Sequence, residues 1–395
     1  MNLKKQLFRL NAFGFFACLR IPDAVWVVLL TTRGFSLWEI GLAEGIFHIV
    51  SLVGEIPSGM AADLLGRRRS LAMAGICGMV SALLMAFSTS FIHVCLSMVF
   101  SALASNFISG SDEALLYDSL LQSGREKEYL SASARYSQIQ NLGSTLSNAA
   151  SLLSGMLGYI GFYLLDALVC LFRVLSAGSL TEPVVTQDQQ FREKQPLSHL
   201  MQRLRNHVRQ VLEFLLSYPY LVFVMLADGL IGLPGYLTLM FLQQRLHELG
   251  MDSVWLGIPV MCLSLSRMFG VFIGERLKSI RLQRLYTVCA LLVGAGTICA
   301  GTAPVVPAIL GAMTASGAMD AWVLHLQKYL NERFPSDRRA TLVSVNMMAY
   351  SMLMVLTSPF VGWVGDICGT AGAGLCVLGV VVATAGIAIF VKGNA

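Results

Sequence analysis

Apolar residues in this chain run in long blocks separated by short polar breaks. Twelve blocks stand out, near 11–31, 39–62, 70–90, 94–118, 136–160, 162–181, 219–242, 252–275, 285–303, 305–328, 341–363 and 370–391. Each approaches the roughly 20 residues that an α-helix needs to cross a hydrocarbon core. The pattern therefore predicts an all-α polytopic membrane protein with twelve transmembrane helices. The longest polar break, from Thr181 to about Ser217, divides the blocks six and six. It defines an N-terminal six-helix lobe over 1–181, a linker over 182–217 and a C-terminal six-helix lobe over 218–395. Within the linker, Leu197, Leu200, Leu204, Val208, Val211 and Leu215 recur at helical spacing among Arg203, Arg205 and Arg209. That reads as an amphipathic helix, lying on the inner leaflet or packing against the lobes.

Positive charge gives the orientation. With the N-terminus inside, 23 of the 28 lysines and arginines fall in cytoplasmic segments. Only Arg33 and Arg245 fall in outer loops, while Arg20, Arg173 and Arg267 lie within spans. This asymmetry fits both termini inside and explains the net charge of +5 without a nucleic-acid partner. Membrane lipids are the expected neighbours, in a bacterial cytoplasmic membrane. Charged residues make up only 13% of the chain, about half the share usual in soluble domains. The nine cysteines include no C-x-x-C pair and read as small packing residues, so no metal is expected. Lys4 and Lys5 before an apolar run imitate a secretory signal, but the run continues through Trp26 to Leu30 without a small-residue cleavage site, and it is read as the first span. No G-x-x-x-x-G-K-[ST], H-E-x-x-H, D-D-x-x-D or G-x-S-x-G pattern occurs. No cofactor or enzymatic chemistry is therefore expected.

The two halves echo one another. Ser109-Gly110-x-x-Glu113-Ala114 recurs as Ser316-Gly317-x-x-Asp320-Ala321, and Ser137, Gly155 and Gly158 recur as Ser344, Gly362 and Gly365 at the same offset of 207. Parallel six-helix repeats place a binding site between them near the membrane midplane.

Ionisable residues within spans cost about 2.5–3.5 kcal/mol each on insertion scales and so mark functional positions. Arg20 and Asp23 lie three apart in span 1, where they can neutralise each other, with Pro22 between them to break the helix. Glu55 in span 2, Asp112 and Glu113 in span 4, Asp228 in span 7 and Asp320 in span 10 can each exchange a proton when exposure alternates between water and protein. Asp112 and Glu113, close to the inner end, also suit a gate. Arg267 in span 8 suits an anionic substrate or one of these acids. Asn141, Ser144, Asn148 and Ser151 mark one face of span 5, a packing surface or a cavity wall. Arg173 is expected to snorkel, Glu44 and Asp166 to be solvated, and His48 and His325 to pack in the core.

One stretch carries a specific resemblance: Gly54-Glu55-Ile56-Pro57-Ser58-Gly59-Met60-Ala61-Ala62-Asp63-Leu64-Leu65-Gly66-Arg67-Arg68-Arg69. Its spacing Gly59-x-x-x-Asp63-x-x-Gly66-Arg67-Arg68 resembles the loop between helices 2 and 3 of the major facilitator superfamily (MFS). The resemblance implies two six-helix lobes that alternate access to a central site. It also implies an inner gate in which Asp63 faces the N-terminus of helix 11, Gly59 permits close helix approach, and Arg67 and Arg68 form cytoplasmic pairs. Together with Ser109 to Asp118, the stretch is similar to bacterial members described as efflux proteins. Two features of the family's drug–proton antiporters are missing: an arginine in span 4 and a Gly-Pro-rich span 5. The expected function is secondary active transport of a small molecule, led by proton-coupled efflux of an amphipathic compound. The alternative is an importer or facilitator of a small polar or anionic metabolite. A monomer is expected.

Overall fold

The computed structural model describes residues 2–183, 209, 219–277, 280–333 and 339–394. The expected linker helix therefore lies outside the described residues. Fourteen α-helices are found among them and no strand. They are α1 Leu3–Cys18, α2 Trp26–Thr31, α3 Leu37–Leu65, α4 Arg67–Ala86, α5 Phe91–Ile108, α6 Ser111–Gln122 and α7 Tyr129–Ala149. These are followed by α8 Ser154–Ser179, α9 Pro219–Glu248, α10 Gly257–Arg276, α11 Leu282–Thr302, α12 Val305–Arg333, α13 Arg339–Cys368 and α14 Ala371–Asn394.

Nine stretches among the described residues are long and apolar enough to cross a membrane. One of them, Glu126–Ser179, takes in two of the twelve expected blocks. Gly158 sits inside α8 with φ 63° and ψ 179°, and this break separates the two. The blocks at 11–31 and 305–328 are helical but are not among the nine. In the first, the helix is interrupted between Cys18 and Trp26 around Pro22, whose ring removes a backbone donor.

Contacts divide the chain into two compact units. The first comprises 1–23 and 46–210, and the second 24–45 and 211–395. The core of the first gathers Leu10, Phe13, Leu71, Leu115, Leu116, Leu120 and Tyr136. The core of the second gathers Ile231, Tyr286, Ala290, Val293, Trp322 and Val382. Large apolar side chains such as Phe8, Met156 and Leu356 remain outside, as they do on helices whose solvent is lipid.

With no hydrophobic drive between helices in lipid, close contact rests on small residues. In the second unit a Cβ on Gly270 of α10 would run into the carbonyl of Gly317 on α12. This explains a difference between the repeats. Gly110 adopts φ 69° and ends α5, whereas its counterpart Gly317 continues through α12, packed backbone to backbone on α10.

Candidate functional site

Span 1 is held open at its break by side chains from neighbouring helices. Breaking a helix leaves carbonyls without partners on one side and N–H groups on the other. Arg173, on α8, donates through Nε and Nη2 to Phe16 O at 3.2 and 3.0 Å, and through Nη2 to Ala17 O at 3.1 Å. Two turns earlier on α8, Asp166 accepts the N–H of Ile21 at 2.9 Å. The Ser147 hydroxyl donates to the Arg20 carbonyl. Arg173 is thus buried at 4% exposure rather than snorkelling, because its guanidinium replaces the missing helical donors. Asp166 is half-buried rather than fully solvated, since the freed N–H of Ile21 needs an acceptor. Arg20 and Asp23 have exposed side chains, and the Asp23 N–H donates to Arg20 O in the turn that bridges the break.

Asp112 begins α6, immediately beyond the Gly110 break. Its Oδ1 accepts the Glu113 N–H at 2.8 Å, and its Oδ2 accepts the Tyr136 hydroxyl at 2.9 Å and Gln140 Nε2 at 3.5 Å. Asp112 is buried, while Glu113 beside it is exposed. The two expected gate acids therefore occupy different environments. Gly14 packs against the Tyr136 ring, where a Cβ would collide, which keeps the tyrosine against α1.

In the second unit Asp228 on α9 accepts Trp322 Nε1–H at 2.9 Å through Oδ1 and Asn346 Nδ2 at 3.0 Å through Oδ2. Asn346 Oδ1 is buried with no hydrogen-bond donor among the described residues. Tyr286 meets the Trp322 ring edge-on at 5.0 Å and donates to Ala227 O at 3.1 Å. Asp112, buried, and Asp228, half-buried, thus share a chemistry: a carboxylate that accepts hydrogen bonds from neutral donors. Arg267 resolves differently. Its Nε donates to Asp320 Oδ2 at 2.8 Å, so the cation and the repeat acid form an ion pair.

Around the arginine-rich loop, Arg67 pairs with Asp118 and donates to Ala114 O at 2.7 Å, and Arg68 Nη2 donates to Gly178 O at 2.6 Å. Glu182 caps α4, accepting the N–H groups of Arg67 and Arg68 at 2.9 and 2.7 Å. Gly66 takes φ 95° between α3 and α4, a conformation that favours glycine. A Cβ on Gly59 would meet nothing within contact distance among the described residues. The Asp63 side chain, and with it its expected role at the gate, lies outside the described residues. Glu55 is half-buried on α3, and Asn141 on α7 is exposed. Glu44 is buried, 3.4 Å from the Tyr236 hydroxyl that donates to it, and is not solvated as expected. His48 packs edge-on against Phe47. Among the described residues no group of His, Cys, Asp and Glu could hold a metal ion.

Sequence reasoning missed Tyr136, Gln140, Trp322, Asn346 and Glu182 as partners of these charges. Tyr136 and Gln140 lie one helical turn apart and carried a local signal. The partners of Asp228 lie 94 and 118 residues away and carried none.

The family model of the Major Facilitator Superfamily matches residues 10–349. A curated relative, "Uncharacterized MFS-type transporter YxaM" of Bacillus subtilis (strain 168), is 29% identical over 109 residues, 26% of this chain and 27% of that protein. The match thus spans about a quarter of the relative's length. Among solved structures, the nucleoside transporter NupG superposes with a TM-score of 0.78 at 17% identity, covering 99% of each chain. A POT family transporter in complex with 5-aminolevulinic acid superposes with a TM-score of 0.70 at 12% identity, covering 98% of this chain and 95% of that one. At these identities the structural likeness concerns the fold.

Proposed function

The chain belongs to the Major Facilitator Superfamily, and from that premise we propose that it is a secondary active transporter working by alternating access, coupled to protons. In this reading lobes 1–181 and 218–395 rock about a central site, and the Asp63 region with Gly59, Gly66, Arg67 and Arg68 serves the inner gate. The observation that carries the coupling is the environment of Asp228. A carboxylate in the apolar part of a span, dressed by Trp322 and Asn346, is costly as an ion. A proton removes that cost, and exchange between Asp228 and water on alternate sides ties its protonation to the cycle. Asp112, held by Tyr136 and Gln140, is the corresponding group of the first unit. The Arg267–Asp320 pair neutralises the prominent cation of the second half, which leaves acids in excess and favours export of an amphipathic, cationic compound in exchange for protons.

A second reading, uptake of a small polar metabolite, is supported by the solutes of the structural neighbours, nucleosides and 5-aminolevulinic acid. It is also supported by Asn346 Oδ1 beside Asp228, a polar acceptor with no donor among the described residues. The two are separated in liposomes carrying the purified protein. An imposed pH gradient, acid on one side, should drive a lipophilic cation towards the acid side under exchange, or a nucleoside or 5-aminolevulinic acid away from it under co-transport. Solute movement indifferent to the gradient would remove proton coupling from both readings.

A further inference from the structure

The helix 2–3 pattern occurs twice. Gly59-x-x-x-Asp63-x-x-Gly66 at the end of α3 recurs as Gly362-x-x-x-Asp366-x-x-Gly369 at the end of α13, with the constant offset of 303. The final glycine of each copy has positive φ, 95° at Gly66 and 69° at Gly369. Their chain positions differ in one respect. The first copy follows an even-numbered span and the second an odd-numbered one, which puts them at opposite membrane faces.

In the second copy the carboxylate has a defined task. Asp366 Oδ1 accepts the Leu37 N–H at 2.9 Å and Oδ2 accepts the Trp38 N–H at 2.8 Å. These are the first two residues of α3, where N–H groups lack helical acceptors and the helix dipole favours an anion. The adjoining helices touch along their backbones. A Cβ on Gly362 would strike the Leu37 carbonyl, and one on Gly41 would strike the Ser358 carbonyl. The Ser358 hydroxyl donates to Gly41 O at 2.8 Å. Residues 37–45 thus belong by contact to the second unit, although the rest of α3 belongs to the first.

We infer that Gly362-x-x-x-Asp366 is a second gate latch, fastening the start of α3 to α13 at the face opposite Arg67–Arg69, and that its release opens that face during the cycle. The inference rests on the alternating-access reading. Within it, Asp366 fastens by its two N–H contacts, and Gly362 and Gly41 set the distance that lets those contacts form.

The test reads opening directly and needs no solute. Ala43 is fully buried on the latched part of α3, and Ala43→Cys provides a reporter there. Purified protein in detergent is treated with a maleimide, and labelling of the otherwise identical protein with its native cysteines is subtracted. In the latched protein Ala43→Cys should label slowly. Asp366→Asn and, separately, Gly362→Leu should each speed labelling by roughly three- to thirtyfold, the range that follows from losing a helix cap. Unchanged rates in both would overturn the latch, and a rise in Gly362→Leu alone would overturn the role of the carboxylate. Should either variant fail to fold, Ser358→Ala, which loses only the hydroxyl bond to Gly41, gives a smaller rise if the latch is real and none if it is not. Faster labelling in a protein that transports none of the solutes tested would keep the latch and sink the transport reading alone.

Discussion

Replacing Arg173 by methionine keeps an apolar stem of similar reach and removes the guanidinium that closes the broken end of α1. Three donor contacts disappear, leaving the carbonyls of Phe16 and Ala17 without them. At 4% exposure the site offers little water to replace those donors. A net hydrogen bond to a charged group contributes about 1.5–3 kcal/mol, and an acceptor left buried and unpaired costs about 1–3 kcal/mol. The arginine's own desolvation is recovered in the variant, so the loss is set at about 2–4 kcal/mol rather than the full sum. With about 2–4 °C per kcal/mol for a domain of 150–250 residues, the apparent Tm should fall by roughly 4–16 °C. The assay is thermal unfolding of the detergent-purified protein followed by thiol-reactive dye or by loss of monodisperse elution. Arg173→Lys should fall between the two, because one ammonium cannot reproduce the planar fork that spans both carbonyls. A Tm within 2 °C of wild type for Arg173→Met would refute the claim that this side chain supports the break.

Other outcomes follow from the same geometry. Gly270→Leu forces α10 off the Gly317 backbone and should lower stability by about 1–3 kcal/mol, read as reduced Tm and poor yield. Glu182→Gln weakens the cap of α4 and should cost about 0.5–2 kcal/mol, visible as a modest Tm drop that Glu182→Asp partly restores. Tyr136→Phe deletes the hydroxyl that donates to Asp112 while preserving the ring beside Gly14. It should shift the pH profile of transport with little change in fold, and an unaltered profile would remove Asp112 from the coupling pathway.

Much of the frame was legible because membrane insertion writes it locally. Runs of apolar residues gave the helices, arginine placement gave the expected orientation, and Pro22 marked the interruption of span 1. The burial of Arg173 and the backbone contact of Asp166 were not legible. Snorkelling is the natural expectation for an arginine on an apolar helix, and what reverses it is an open backbone on another helix, 157 residues away for Phe16. The difference between Gly110 and Gly317 was hidden for a similar reason, since the repeat preserves the sequence while the packing partner Gly270 decides the backbone. The second Gly-x-x-x-Asp-x-x-Gly copy was readable in the sequence, but its meaning depends on which helix start Asp366 meets.

The coupling role of Asp228 is tested most directly by measuring protons and solute together. Purified protein in liposomes containing a pH-sensitive dye is given a transported solute without any imposed gradient. Wild-type protein should show solute-dependent proton movement. Asp228→Asn keeps the shape of the site and should abolish that movement while solute binding, followed by thermal shift, persists. Undiminished solute-driven proton flux in Asp228→Asn would contradict the account.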